Sequence, residues 1–204
     1  MSRTDDVKAE TRQLILSAAY NLFREKGADK CTIRDIAKQA GVSPASVIVH
    51  FKNKTALLEA ALSEDIDKTL VGSLATLPAE QDLQTVLIHM VTEMLSLYDQ
   101  NRELYRILIR DTFFEPVQDS PALSGLDEKY FSFLVNLLEQ EKKQGKVQAE
   151  LDTQLAAFSL FSLYIGVLRD FLRTPELTVE KAKSMLVIIL EQYLTGIFLP
   201  GGEQ

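Results

Sequence analysis

Cysteine is almost absent from this chain. The single Cys31 has no partner for an internal disulfide and no companions for a zinc framework, so both disulfide-stapled folds and common zinc modules are excluded. It reads as a small, semi-buried side chain. Histidine is nearly as scarce, and neither His50 nor His89 follows a glutamate by three residues, which removes the Glu-x-x-His signature of di-iron bundles. His89 and Glu93, four apart, are two ligands without a third and read as a helix-face link. There is no Walker loop, no Gly-x-Ser-x-Gly and no Cys–His pair. No catalytic residue, metal ligand or cofactor is therefore implied, and the chain reads as a binding protein and not an enzyme. The N-terminus, MSRTDDVKAETRQL, lacks the apolar stretch of a secretory signal, which places the protein in the cytoplasm. Also missing are internal repeats, low-complexity tracts and any Pro/Gly/Ser-rich linker.

The few prolines and glycines, 6 and 9 in 204 residues, fall mainly where helices should stop: Gly27, Gly41, Pro78, Pro116, Pro121, Gly145, Pro175 and Pro200. Apolar residues make up 46% and return at helical spacing, as in Leu14, Ala18, Leu22 and again in Leu104, Leu108, with no sustained strand-like alternation. The fold class is all-α. About nine helices are expected, near 8–26, 33–40, 44–50, 55–76, 82–99, 101–114, 122–144, 152–173 and 178–198. A three-helix N-terminal domain over 1–54 is expected to join a larger helical domain over 55–204 directly, through the helix after Lys54. Thr153 to Leu168 is uncharged, but it contains Thr153, Gln154, Ser159 and Ser162 and is shorter than a span requires, so no membrane helix is expected.

The net charge of −7 hides an asymmetry. Residues 1–62 carry +3 and the remainder −10, and from Lys26 to Lys54 six basic residues face two acidic ones. A basic nucleic-acid module attached to an acidic body produces this distribution.

Residues 26–58, KGADKCTIRDIAKQAGVSPASVIVHFKNKTALL, break into cap, helix, tight turn, cap and helix. Thr32 stands at an N-cap with Asp35 three residues on, an acidic form of the capping box. Ile33, Ile36, Ala37 and Ala40 share a face, and Gly41 ends the helix where a left-handed residue does so most cheaply. Ser43 caps again, with Pro44 at the first helical position. Val42, Val47 and Phe51 lock the second helix inward, which leaves Pro44, Ala45, Ser46, Ile48 and Val49 pointing outward. Such a helix has the size to enter a major groove. Lys26, Lys30, Arg34, Lys38, Lys52 and Lys54 surround it as phosphate partners. The candidate DNA-contacting residues are Thr32, Arg34, Ser43, Pro44, Ala45, Ser46, Ile48, Val49, His50, Lys52 and Lys54.

Across residues 10–62 the order of long helix, Gly27, Thr32, Ile36-Ala37, Gly41-Val42-Ser43, Phe51 and Lys54 resembles the tetracycline-repressor (TetR) family of transcriptional regulators. The resemblance implies that the third helix enters the major groove, that Lys54 meets phosphate, and that the C-terminal domain dimerises and holds a small effector. One departure stands out. The family often carries an aromatic, usually tyrosine, where this chain has Ile48. The outward face is thus poor in hydrogen-bond donors, with Ser46 and His50 its polar members, and Ala45, Ile48 and Val49 are suited to thymine methyl groups.

In the C-terminal part, residues 152–173 are apolar almost all round, and the final helix repeats the pattern from Met185 to Leu194. Helices of this kind need burial on two sides, so a homodimer is expected through 152–173 and 178–198, paired as a four-helix seam. His89, Met90, Met94, Tyr105, Arg110, Phe113, Tyr130, Phe161 and Tyr164 are the candidate effector-binding residues, apolar side chains with a few polar groups among them. The acidic body favours a neutral or cationic ligand over an anion. The expected function is a ligand-responsive DNA-binding regulator, a repressor released from an inverted-repeat double-stranded operator when a small molecule binds the C-terminal domain. The alternative is an architectural DNA-binding protein without an effector, marked by sequence-indifferent and steeply salt-dependent binding.

Overall fold

Helices account for every element among the residues that the computed structural model describes, 3–77 and 82–195. They are α1 (Arg3–Lys26), α2 (Ile33–Ala40), α3 (Pro44–His50), α4 (Lys54–Ala75), α5 (Leu83–Asp99), α6 (Arg102–Thr112), α7 (Pro121–Lys143), α8 (Thr153–Arg173) and α9 (Val179–Thr195). Most ends lie within two residues of the expected ones. α1 starts earlier, because Asp5 and Asp6 in its first turn interact favourably with the helix dipole and extend it beyond the apolar pattern. The expected breaks at Pro78 and Pro200 and the end of the last helix near 198 lie outside the described residues.

The chain divides into two units. The first is built from residues 3–67 together with 101–126. The helix-turn-helix segment therefore shares its unit with most of α4, with α6 and with the start of α7. Within it α1 packs on α2 and α2 on α3. Ile15, Phe23, Ile36, Val47, Leu57 and Leu108 are wholly buried there. Removing such side chains from water is the main driving force, at about 1.5–3 kcal/mol each. Polar ties supplement the core. The buried Glu59 carboxylate accepts the Leu123 N–H at 2.8 Å, and the Tyr20 hydroxyl donates to Asp65 at 2.7 Å. The Cys31 thiol, also buried, donates to the Leu22 carbonyl at 3.2 Å, and burial pushes its pKa up.

The second unit holds residues 68–77, 82–100 and 127–195. Here α5 packs against α8 and α9, and α8 against α9. Met90, Leu95, Leu134, Ala157, Phe171 and Ala182 are its most completely buried apolar residues. The α8 segment differs from expectation in one respect. The whole helix, at 21 residues, is long and apolar enough by length and composition to cross a membrane, because it continues beyond the uncharged run as far as Arg173. Its inner face nevertheless meets protein, with Ala156, Leu160, Tyr164, Val167, Leu168 and Phe171 all buried.

Candidate nucleic-acid interface and ligand site

The geometry of the groove helix follows from its caps. The Thr32 hydroxyl oxygen accepts the Asp35 N–H at 3.2 Å while the Asp35 carboxylate accepts the Thr32 N–H at 3.0 Å, so the acidic capping box closes in both directions. The Thr32 hydroxyl also donates to that carboxylate at 2.6 Å, and this bond, with the Thr32 N–H, holds the Asp35 carboxyl below its ordinary pKa. Gly41 adopts φ 69°, the left-handed conformation that a side chain would strain. Val42 N–H then reaches back to the Ala37 carbonyl at 3.0 Å, which closes the turn. Ser43 Oγ accepts the Ser46 N–H at 3.0 Å, Pro44 opens α3, and Phe51 N–H ends it on the Val47 carbonyl at 2.8 Å.

This arrangement presents one side of α3 outward. Val47 is 0% exposed and Phe51 5%, whereas Ile48 is 48% and Val49 78% exposed. Pro44 and Ala45 are also exposed, and Ser46 and His50 are half-buried. The His50 ring lies 6.5 Å from that of Phe51, tilted against it. This exposed apolar pair on a seven-residue helix is chemically suited to an apolar groove feature such as the thymine methyl.

Around this face the basic groups sort into three states. Lys26, Lys30, Arg34 and Lys38 are exposed, as is Thr32 at the head of α2. Lys52 is exposed but its ammonium lies 2.6 Å from the Asp119 carboxylate, which raises its pKa. Lys54 is half-buried and donates to the carbonyls of Ala28 at 2.9 Å and Cys31 at 3.4 Å. Its ammonium closes the turn between α1 and α2, leaving at most one of its three N–H groups for phosphate. Arg12 was not among the expected contacts. Its guanidinium lies 5.0 Å over the Phe51 ring, a cation–π contact that adds an exposed positive charge beside the end of α3. Nothing in the local sequence pairs Arg12 with Phe51; only the packing of the helices does.

The expected effector residues divide between the two units. Tyr105, Arg110 and Phe113 lie in the first. There Tyr105 is buried, Arg110 pairs with Asp111 at 2.6 Å and Asp29 at 3.6 Å, and Phe113 is exposed with its ring edge-on to Phe114 at 4.9 Å. His89, Met90, Met94, Tyr130, Phe161 and Tyr164 lie in the second. His89 Nε2 is held between the Ser73 carbonyl at 3.1 Å and the Thr76 hydroxyl at 3.0 Å, a tie between α4 and α5. Met90 is packed in a cluster with Leu70 and Val86, bordered by Tyr130 and Phe133. Met94 is buried on the same helix.

Three of these residues form a distinct group. The rings of Tyr130, Phe161 and Tyr164 make a triangle with centroid separations of 5.9, 5.9 and 6.1 Å. Beside it the hydroxyls of Tyr98 and Tyr164 share a hydrogen bond of 3.2 Å. Burial raises the pKa of Tyr98 to about 12 and that of Tyr130 and Tyr164 further, so all three phenols are neutral. Sequence reasoning missed one member, Asp127. It stands one helical turn before Tyr130 and is close enough for its charge to raise both Tyr98 and Tyr164. The residue is exposed, and its carboxyl is pushed up to about 6 by loss of hydration. The spacing of Asp127 to Tyr130 is visible in the sequence; its thinned hydration is not.

Comparison with known proteins agrees with this geometry. Residues 15–61 match the family model described as "Bacterial regulatory proteins, tetR family". The probable HTH-type transcriptional regulator YttP of Bacillus subtilis (strain 168) is 30% identical over 143 residues, 68% of each chain. The HTH-type transcriptional regulator AcrR of Shigella flexneri is 27% identical over 203 residues, covering 94% of this chain and 93% of that one. Among solved structures, Thermus thermophilus FadR, a TetR-family repressor in complex with lauroyl-CoA, aligns with a TM-score of 0.77 over 95% of this chain and 98% of its own, at 20% identity. At that identity the likeness shows the fold.

Proposed function

The chain belongs to the tetR family of bacterial regulatory proteins, and from that premise we propose that it is a repressor released from an inverted-repeat operator by a small molecule. It is a DNA-binding transcriptional regulator. The observation that carries the finer reading is α3, capped at both ends and presenting Ile48 and Val49 outward within a basic rim. In this reading Thr32, Arg34, Ser43, Lys52 and Lys54 position the protein on phosphate, while Ala45, Ser46, Ile48 and Val49 read the groove and Pro44 and His50 flank it. Residues 1–54 act as the DNA-reading segment and 55–204 serve ligand binding and dimerisation.

Dimerisation completes the mechanism. Leu155 and Phe158 on α8 are 65% and 62% exposed, and Ile188 on α9 is 55% exposed. An apolar stripe on the outer face of two adjacent helices is covered by its own copy in a twofold seam. Two α3 helices then meet half-sites about 34–36 Å apart, or a multiple of one turn. The cytoplasm is the compartment in which such a regulator meets DNA. A ligand bound in the second unit releases the operator only by favouring a conformation in which the two helices no longer match, and that coupling is reciprocal.

Selection of bound fragments from genomic DNA, followed by footprinting, tests the reading. Two protected half-sites in an inverted repeat support it. A single asymmetric half-site contradicts the dimer, and sequence-indifferent binding of steep salt dependence favours the architectural alternative.

A further inference from the structure

Taking the DNA-binding regulator as given, we propose that Arg12, on α1 and outside the helix-turn-helix, is a phosphate anchor held in place by the Phe51 ring. Phe51 is 5% exposed and its N–H closes α3 on the Val47 carbonyl at 2.8 Å, so the ring is fixed relative to the groove helix. The Arg12 guanidinium lies over that ring at 5.0 Å from its centroid, while the residue itself is exposed. The ring face attracts the charge without consuming any of its five N–H donors. A planar guanidinium so restrained loses less freedom on gripping a phosphate, and two of its N–H groups match two phosphate oxygens. A phosphate met here is met at a fixed offset from α3, because both parts of the anchor belong to the unit that carries that helix.

The neighbouring charges favour the same role. Arg12 makes no hydrogen bond or ion pair among the described residues. The positions one helical turn away on α1 are Lys8, Ala9, Ile15 and Leu16, which hold no carboxylate to neutralise it, and the exposed Lys8 adds a second positive charge. Glu10 stands two residues before Arg12, a spacing that does not share a helix face. The two lysines that follow α3 are already engaged, Lys52 with Asp119 at 2.6 Å and Lys54 with the carbonyls of Ala28 and Cys31. Packing on Phe51 needs only the apolar stem of a long side chain; an ionised head left unpaired in water is what a polyanion takes up.

The salt dependence of DNA binding separates a phosphate contact from a packing role. Arg12→Gln removes the charge, and Arg12→Met removes it while keeping an apolar stem over Phe51. Binding of the full chain is followed by fluorescence anisotropy over a salt series, on a random-sequence duplex and on a selected fragment. Both variants are expected to bind both DNAs about five- to ten-fold more weakly per protomer bound, with the salt slope reduced by about one for each protomer. Arg12→Lys should keep the slope and lose a few-fold in affinity, since an ammonium is a point charge without the planar fork. An unchanged slope in a neutral variant that keeps the parent's helical circular dichroism overturns the proposal. Loss of the fold in both neutral variants also overturns it, because the residue is then a packing element. So does a loss confined to the selected fragment, since phosphate carries no sequence. If the parent binds no DNA, the anchor and the regulator reading fall together; if it binds selectively and the slope does not move, only the anchor falls.

Discussion

At the scale of single residues, charge and hydration decide more than position in the sequence. Asp127 has a folded pKa of about 6, above its ordinary value, so the folded protein binds a proton there that the unfolded chain has already lost. Stability therefore falls as pH rises from about 4 through about 6. Tyr98, Tyr130 and Tyr164 stay neutral throughout that window and do not offset the loss. Asp127→Asn should accordingly raise the Tm of the ligand-free protein at pH 7.5 and leave it nearly unchanged at pH 4; a lower Tm at pH 7.5 would show that the charge is stabilised by the fold. On the DNA side, Lys52 is paired with Asp119, which in the proposed interface competes with phosphate for it. Asp119→Asn should raise affinity for selected and random DNA alike, severalfold, and steepen the salt dependence, as read by fluorescence anisotropy over a salt series. The Lys52 charge was legible from sequence. Its acidic partner was not, because the two residues are brought together only by the packing of the first unit.

At the scale of elements, local chemistry wrote most of the fold. Thr32 with Asp35, Gly41, and Ser43 with Pro44 announce their caps within four residues, and each forms in the structure as the spacing implies. Local signals worked here because capping involves only neighbours along the chain. α3 is too short to persist alone, and it depends on its cap and on Val47 and Phe51. Ser43→Ala should cost about 1 kcal/mol of stability and weaken operator binding in proportion to the frayed first turn. Unchanged melting by circular dichroism would mean that packing alone holds α3. The limits of local reading appear at Tyr105, Arg110 and Phe113. They belong to the first unit, a grouping that neighbouring residues along the chain do not announce.

At the scale of the whole molecule, the apolar surface of α8 and α9 was evident from composition, but which of its residues face outward was not. Leu168 is 3% exposed and belongs to the core of its own unit, whereas Phe158 and Ile188 lie on the outer stripe. Phe158→Glu and Ile188→Glu should each yield folded monomers by sedimentation with weakened operator binding, while Leu168→Glu should unfold the unit instead. Two soluble dimers from the first pair would place the seam elsewhere. The central claim, that α3 reads sequence through an apolar face while the rim holds phosphate, is tested most directly by the ratio of affinities for selected and random DNA in the Ser46→Ala/Val49→Ala protein. The account predicts a loss of about 1–3 kcal/mol per lost base contact on the selected fragment and almost none on random DNA. An equal loss on both, or none on either, would contradict it.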